Sequence, residues 1–444
     1  MTTVGGAEQA ERAERATWGG WGDAVRDDPF PTFAEARSRC PVQNVRLPDG
    51  HDAWVVLGHA AARQALGDDR LSKDMVAALD QDPEIVAEGL PGPELAHHML
   101  AMDAPDHGRL RGLVASAFRP SRVAALRPAV ERLADELLDD LAARGPDTVV
   151  DLRDGFAHPL PFAVVCELLG VDGAHRGVLH DAFATLFRSW PWPPPPEAVA
   201  ASDVVTGTLR ALVDDATPDP DGDVVAVLVA AVARGDATRA EALSSLFQLV
   251  VAGHDTTSSL IGNGVVALLD HPDQLALVRD DAGLVPAAVE ELMRFTAPVP
   301  HATFRVTTAP VKLGGVTVPS GHQVLVSLGA ANRDPAFVDE PDRLDVTRPP
   351  RRHLAFGHGA HHCLGAPLAR MEADVAFRRL LGRFPDLRLA VPRDELAWSH
   401  GDGLVLRGLG ALPVLLGPEQ HGAGADPDRE HLNNRRPSDG GPRP

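Results

Sequence analysis

With 444 residues, 44% of them hydrophobic, and no break in composition through the middle of the chain, the sequence can bury one extensive core, so a single large domain is expected. The formal charge of −20, from 62 acidic against 42 basic residues, argues against a nucleic-acid partner, because phosphate recognition needs clustered cations. Three cysteines, Cys40, Cys166 and Cys363, cannot build a disulfide framework, which points to a reducing cytoplasm.

In chain order, residues 1–18 are polar and charged and lack an apolar leader or membrane anchor. They are expected to form a disordered tail, as are residues 417–444, leaving 19–416 as the folded domain. Asp52–Leu57 has the pattern of a strand and His59–Leu66 that of a short helix, followed by a loop-rich stretch to about His98. From His107 onward, apolar residues spaced by three and four predict helices over Ala124–Ala143, Pro159–Leu169 and Arg176–Phe187. The run W-P-W-P-P-P-P from Trp190 to Pro196 cannot be helical and predicts a stiff loop, with Trp190 and Trp192 either part of an entrance lid or a plain spacer.

Leu243–Leu269 is the most apolar segment, but Gln248, His254, Asp255 and Asn263 interrupt it. It therefore predicts a buried helix and not a membrane span. Leu284–Phe295 follows as a helix. Period-two character in Ala302–Val318 and Gln323–Leu328 then predicts a small β region, and a final helix is expected from about Leu364 to Phe384. The fold class is mainly α with small β-sheets.

The chemistry concentrates in Phe356-Gly-His-Gly-Ala-His-His-Cys363-Leu-Gly365. A cysteine just before a helix N-terminus is favoured as thiolate, the metal-binding form. Gly357, Gly359 and Gly365 would let the loop approach a flat macrocycle closely, and His361 could bond one of its carboxylates. Zinc is the competing reading, since His358, His361, His362 and Cys363 are all metal-capable, but adjacent ligands give poor tetrahedral geometry. Cys40 and Cys166 read as small buried hydrophobes.

This segment resembles the haem-binding loop of cytochromes P450, F-G-x-G-x-H-x-C-x-G. Three further stretches resemble the same family in the same order over roughly 29–416. Ala252-Gly253-His-Asp255-Thr256-Thr is similar to the oxygen-binding motif, in which Asp255 and Thr256 would deliver protons. The Thr256 hydroxyl is expected to bond back to the Ala252 carbonyl, with Gly253 leaving space beside it. Glu291-Leu-Met-Arg294 resembles the E-x-x-R pair, with Arg343 as the third member of a structural triad and Arg348 its possible substitute. Asp103-Ala-Pro-Asp-His107-Gly-Arg-Leu-Arg111 resembles the element whose His107 and Arg111 would reach haem propionates; Arg305 matches another propionate partner, and Arg109 is expected to be solvated.

The resemblance implies the cytochrome P450 fold, a single domain shaped like a triangular prism, with haem b held by Cys363. It implies a monooxygenase that inserts one atom of O2 into a hydrophobic small molecule by hydroxylation or epoxidation. Electrons would come from a ferredoxin and its reductase, for which Arg351, Arg352 and Arg370 are candidate docking cations. Substrate contacts would come from the loop before His98, Gln248, Val251, Val299, Pro300, Leu404 and Val405. The wording of Leu71-Ser-Lys-Asp and His353-Leu-Ala-Phe looks most like actinobacterial members that tailor polyketides and other natural products. Atypical chemistry on the same iron (C–C coupling, nitration, desaturation), direct use of peroxide and a non-catalytic haem protein are the alternatives.

Overall fold

The computed structural model describes residues 27–47, 50–74, 95, 98–186, 195–399 and 404–420. The expected N-terminal tail, most of the C-terminal one, the loop before His98 and the Trp190–Trp192 run lie outside them. Residues 417–420, expected to belong to the tail, instead follow the fold: Gln420 N–H donates to the Arg383 carbonyl at 2.9 Å and Arg383 pairs with Glu419.

Helix α1 (Phe30–Arg39) leads into strands β1 (Val42–Arg46) and β2 (Asp52–Val56), helix α2 (His59–Leu66) and the short strand β3 (Leu71–Ser72). The helical half comprises α3 (Asp106–Val114), α4 (Pro120–Ala142), α5 (Pro159–Leu169), α6 (Gly173–Leu186), α7 (Pro196–Asp215), α8 (Val224–Arg234), α9 (Arg239–Asp270), α10 (Pro272–Asp280) and α11 (Val285–Thr296), with strand β4 (Val149–Asp151) between α4 and α5. Strands β5 (Arg305–Thr307), β6 (Val311–Leu313), β7 (Val316–Val318) and β8 (Gln323–Val326) form the expected β region. Helices α12 (Leu328–Asn332) and α13 (Ala366–Arg383) follow, then β9 (Arg388–Leu389), β10 (Trp398–Ser399), β11 (Gly408–Leu409) and β12 (Pro413–Leu415).

The largest sheet has the order β1-β2-β8-β5-β3. Its β2–β8 pair is parallel, with Val55 opposite Leu325, which brings the early hairpin beside a strand some 270 residues later. A three-stranded sheet β4-β12-β9 and the two-stranded pairs β6–β7 and β10–β11 complete the β structure of the described residues.

Helix α9 runs through the main core, and its 32 residues explain the long apolar stretch. Its start is fixed by a capping box in which Thr238 and Glu241 each accept the other's backbone N–H, a cap contributing about 1 kcal/mol. Arg109 on α3 is exposed, as expected. It pairs with Glu241 and with Asp106, tying α3 to that cap. Helix α13 crosses α9 where Gly264 meets Phe377; a Cβ at 264 would lie 2.5 Å from the ring Cζ. Helix α13 begins at Ala366, two residues later than expected, with Gly365 as N-cap and Pro367 in the first turn, where its missing N–H costs nothing.

Candidate active site

Cys363 sits in a tight loop just ahead of α13. Its N–H donates to the Phe356 carbonyl at 2.9 Å, and Gly357 and Gly359 take φ of 70° and 77°, where a side chain would be strained. Gly359 also presses on the end of α2, since a Cβ there would lie 2.6 Å from the Leu66 carbonyl oxygen. Gly365, by contrast, has negative φ, and a Cβ there would meet only ordinary contacts, so its backbone demands no glycine. The cysteine is exposed, but toward an internal cavity. Burial by the surrounding protein raises its thiol pKa, while the backbone of Gly365 and Ala366 and the charge of Arg111 pull the other way. Arg111 also braces the loop, donating to the His362 carbonyl at 2.7 Å.

One wall of the cavity gathers basic side chains. The rings of His107 and His361 lie 4.1 Å apart, and Arg305 and Lys73 are buried beside them. Burial, then His107, Arg305 and Lys73, push His361 down to about 3, and burial together with Arg305 pushes Lys73 down to about 7. Lys73 donates to Thr303 Oγ1 and the Phe304 carbonyl, while Asp103 holds Ser72 and the Lys73 backbone. The buried Arg305 Nε has no hydrogen-bond partner. The buried Arg305 guanidinium with its unmet donor, and the buried Lys73 beside it, call for anionic ligands, and two carboxylates would fit. Lys73 was not singled out as a site residue from the sequence; one of only two lysines in the chain, it was the available signal.

The opposite wall is α9. Thr256 Oγ1 donates to the Ala252 carbonyl at 3.0 Å, as its spacing predicts. Gly253 lines the cavity beside Thr256, and it also lets two helices approach, since an added Cβ would overlap Val165 on α5. Asp255 lies 3.5 Å from His158 Nε2 and 3.4 Å from His254 Nε2. Burial works to raise its pKa, but His254, His158 and Arg153 outweigh it, and the carboxyl stays below its usual value. His158, at the start of α5, was missed because only the tertiary fold brings it to α9. His254 was visible inside the motif but unassigned.

Glu291 and Arg294 on α11 form a bidentate pair with both N···O distances at 2.7 Å, each side chain at most 4% exposed. The third member is Arg348, whose Nε donates to Glu291 Oε1 at 3.2 Å. Arg343, expected in that place, points outward to Glu340 and is 57% exposed; only its carbonyl joins the cluster, accepting from Arg294. The neighbouring Leu344 fills the inward position at 1% exposure.

Between these walls lies a cavity of about 1370 Å³. A single small ligand usually occupies ~300–1,000 Å³, so a macrocycle and a substrate together fit better. Gln248, Val251, Val299 and Val405 line it as expected. Pro300 and Leu404 do not: the Pro300 carbonyl accepts from Gly329, and Leu404 packs with the α1 core while its carbonyl accepts from His301. Met99, Phe183, Phe247 and Leu406 line it in addition. The donors of His358, His361, His362 and Cys363 form no metal-binding cluster; among the described residues such convergence occurs at His158, His254 and Asp255. Of the candidate docking cations, Arg370 is held by Glu290 and stacks on Phe356, and Arg351 donates to the Phe337 carbonyl.

The family model described as cytochrome P450 matches residues 214–395. Cytochrome P450 107B1 of Saccharopolyspora erythraea is 44% identical over 405 residues, which span 89% of this chain and 96% of the relative. The 6-deoxyerythronolide B hydroxylase of the same organism is 42% identical over 401 residues, 89% of this chain and 97% of that one. Among solved structures, the cytochrome P450 enzyme CxnD for C–S bond formation in chuangxinmycin biosynthesis superposes with a TM-score of 0.81 at 39% identity, covering 88% of this chain and 95% of the other.

Proposed function

The chain belongs to the cytochrome P450 family and is a monooxygenase of the actinobacterial type, and from that premise we propose that it hydroxylates or epoxidises a bulky apolar natural product of the polyketide class. The observation that carries this is the large cavity with Cys363 at one side, the acid–threonine pair across it and apolar side chains above. We assign the cofactor as haem b. Cys363 would ligate the iron, and His107, Arg111, Arg305 and His361, joined by Lys73, would take its two propionates; the unmet Arg305 Nε and the burial of Arg305 and Lys73 support that fit. When bound, the haem supplies the splitting of O2, one atom passing to substrate and the other leaving as water.

The protein's own residues supply position and protons. Thr256, held by its bond to the Ala252 carbonyl, keeps the helix groove open. Asp255, ionised and close to two imidazoles, holds a proton route beside it. Val251, Val299, Phe247 and Leu406 exclude water and orient an apolar substrate, with Gln248, whose buried Oε1 has no partner, as a polar contact point. Two electrons come from a ferredoxin and its reductase, and the reaction takes place in the cytoplasm. Arg352 is the most available of the expected docking cations, since Arg351 and Arg370 are already engaged.

The test is turnover of a macrolide and polyketide panel with a ferredoxin, its reductase and NADPH, read by mass. A product heavier by one oxygen atom supports the reading. The likeness to a C–S bond-forming P450 favours a second reading, oxidative coupling, which the same assay would register as loss of two hydrogens.

A further inference from the structure

We propose that His158, Asp255 and His254 form a binding site for a divalent transition-metal ion of the zinc class, on the cavity wall one residue before Thr256. The three donor atoms lie within 4.8 Å of one another, on residues that are buried or nearly so. Two imidazole nitrogens converge on one carboxylate oxygen, Asp255 Oδ1, at 3.5 and 3.4 Å. These separations are long for an N–H···O hydrogen bond, which usually spans ~2.7–3.2 Å. They match the edge of a tetrahedron around zinc, about 3.3–3.4 Å for metal–ligand bonds of 2.0–2.1 Å.

The proton arrangement points the same way. His254 Nδ1 lies 2.7 Å from the Val250 carbonyl, which can only accept, so that nitrogen carries the hydrogen. With Nδ1 carrying the hydrogen, Nε2 of the neutral ring keeps its lone pair and lies 3.4 Å from Asp255 Oδ1. Two lone pairs facing each other need a positive species between them. A metal-bound histidine characteristically donates its other N–H to a backbone carbonyl, the arrangement that Val250 provides. Two imidazoles and a carboxylate form a borderline donor set suited to zinc, with a fourth position left for water.

Access is open, because His158, His254 and Asp255 all line the cavity. His180 stands nearby, its ring 5.5 Å from that of His158. Arg153, whose charge also acts on Asp255, is paired with Asp154. An ion bound here would lock the Asp255 carboxylate. Where the monooxygenase reading holds, zinc would therefore inhibit by withholding the proton route, a consequence that rests on that reading while the binding itself does not.

The experiment titrates Zn2+ into tag-free, chelator-washed holoenzyme by calorimetry, with a chromophoric chelator in competition. One equivalent is expected to bind to the wild type, and His158→Ala and Asp255→Asn are each expected to weaken it by at least ~10-fold. His175→Ala, a half-buried histidine outside the cluster, serves as a control that should leave affinity unchanged. Absence of stoichiometric binding, or binding equal in wild type, His158→Ala and Asp255→Asn, would overturn the proposal. Far-ultraviolet circular dichroism of each variant reports folding, and the carbon monoxide spectrum of the same wild-type sample reports the haem assignment separately.

Discussion

Both oxygens of Glu291 are occupied: Arg294 grips them together, while Arg348 and the Asp345 N–H share Oε1. Arg294 also donates to the carbonyls of Pro341, Asn332 and Arg343, so one buried pair staples α11 to two other backbone segments. Removing Arg348 strips a charged hydrogen bond from a nearly buried carboxylate. Arg348→Ala should thus cost about 1.5–3 kcal/mol in urea unfolding, whereas Arg343→Ala should stay within ~0.5 kcal/mol. Equal effects would mean the third member has been misassigned. The E-x-x-R spacing was readable because it depends on helix period alone. Which arginine returns to it was not, because that is decided by a turn in which Leu344 goes inward and Arg343 outward. The motif residues Cys363, Thr256, His107 and Arg305 were legible as a set, whereas His158 and Lys73 come from distant segments that no spacing links to them.

Helix α13 is held against its neighbours by shape on one side and by charge on the other. Phe377 fills the gap left by Gly264 on α9, so Gly264→Ala should lose about 1–3 kcal/mol through overpacking, measured in the same way. Across the helix, Arg370 pairs with Glu290 on α11, and His353 bonds the same carboxylate at 3.2 Å. Burial raises the Glu290 pKa, but His353 and Arg370 outweigh it and hold it down to about 2. The folded-state value lies below the ordinary 4.5. This stabilisation is therefore complete above about pH 4.5 and is lost as pH falls toward 2. Glu290→Gln should flatten that part of an acid-unfolding curve, and an unchanged curve would contradict the pairing. Period reading placed α5 at its observed ends and α2 likewise, because amphipathic spacing and flanking glycine or proline coincide there. It did not resolve α1, β1 or the pairing of β2 with β8, which depend on contacts far apart in sequence.

At the scale of the whole molecule, the helices and sheets enclose one large cavity, with a cysteine loop, a cationic wall and the centre of α9 around it. Among the described residues no helix is long and apolar enough to cross a membrane. The mainly helical class was readable from composition and periodicity, but the cavity was not, since its lining is drawn from six or more separate segments. Ligation of haem iron by a Cys363 thiolate is read from the carbon monoxide difference spectrum of the reduced protein, recorded beside that of Cys363→Ser. The wild type should show a strongly red-shifted Soret band that is lost in the variant. An unshifted band, or one indifferent to residue 363, would contradict that ligation.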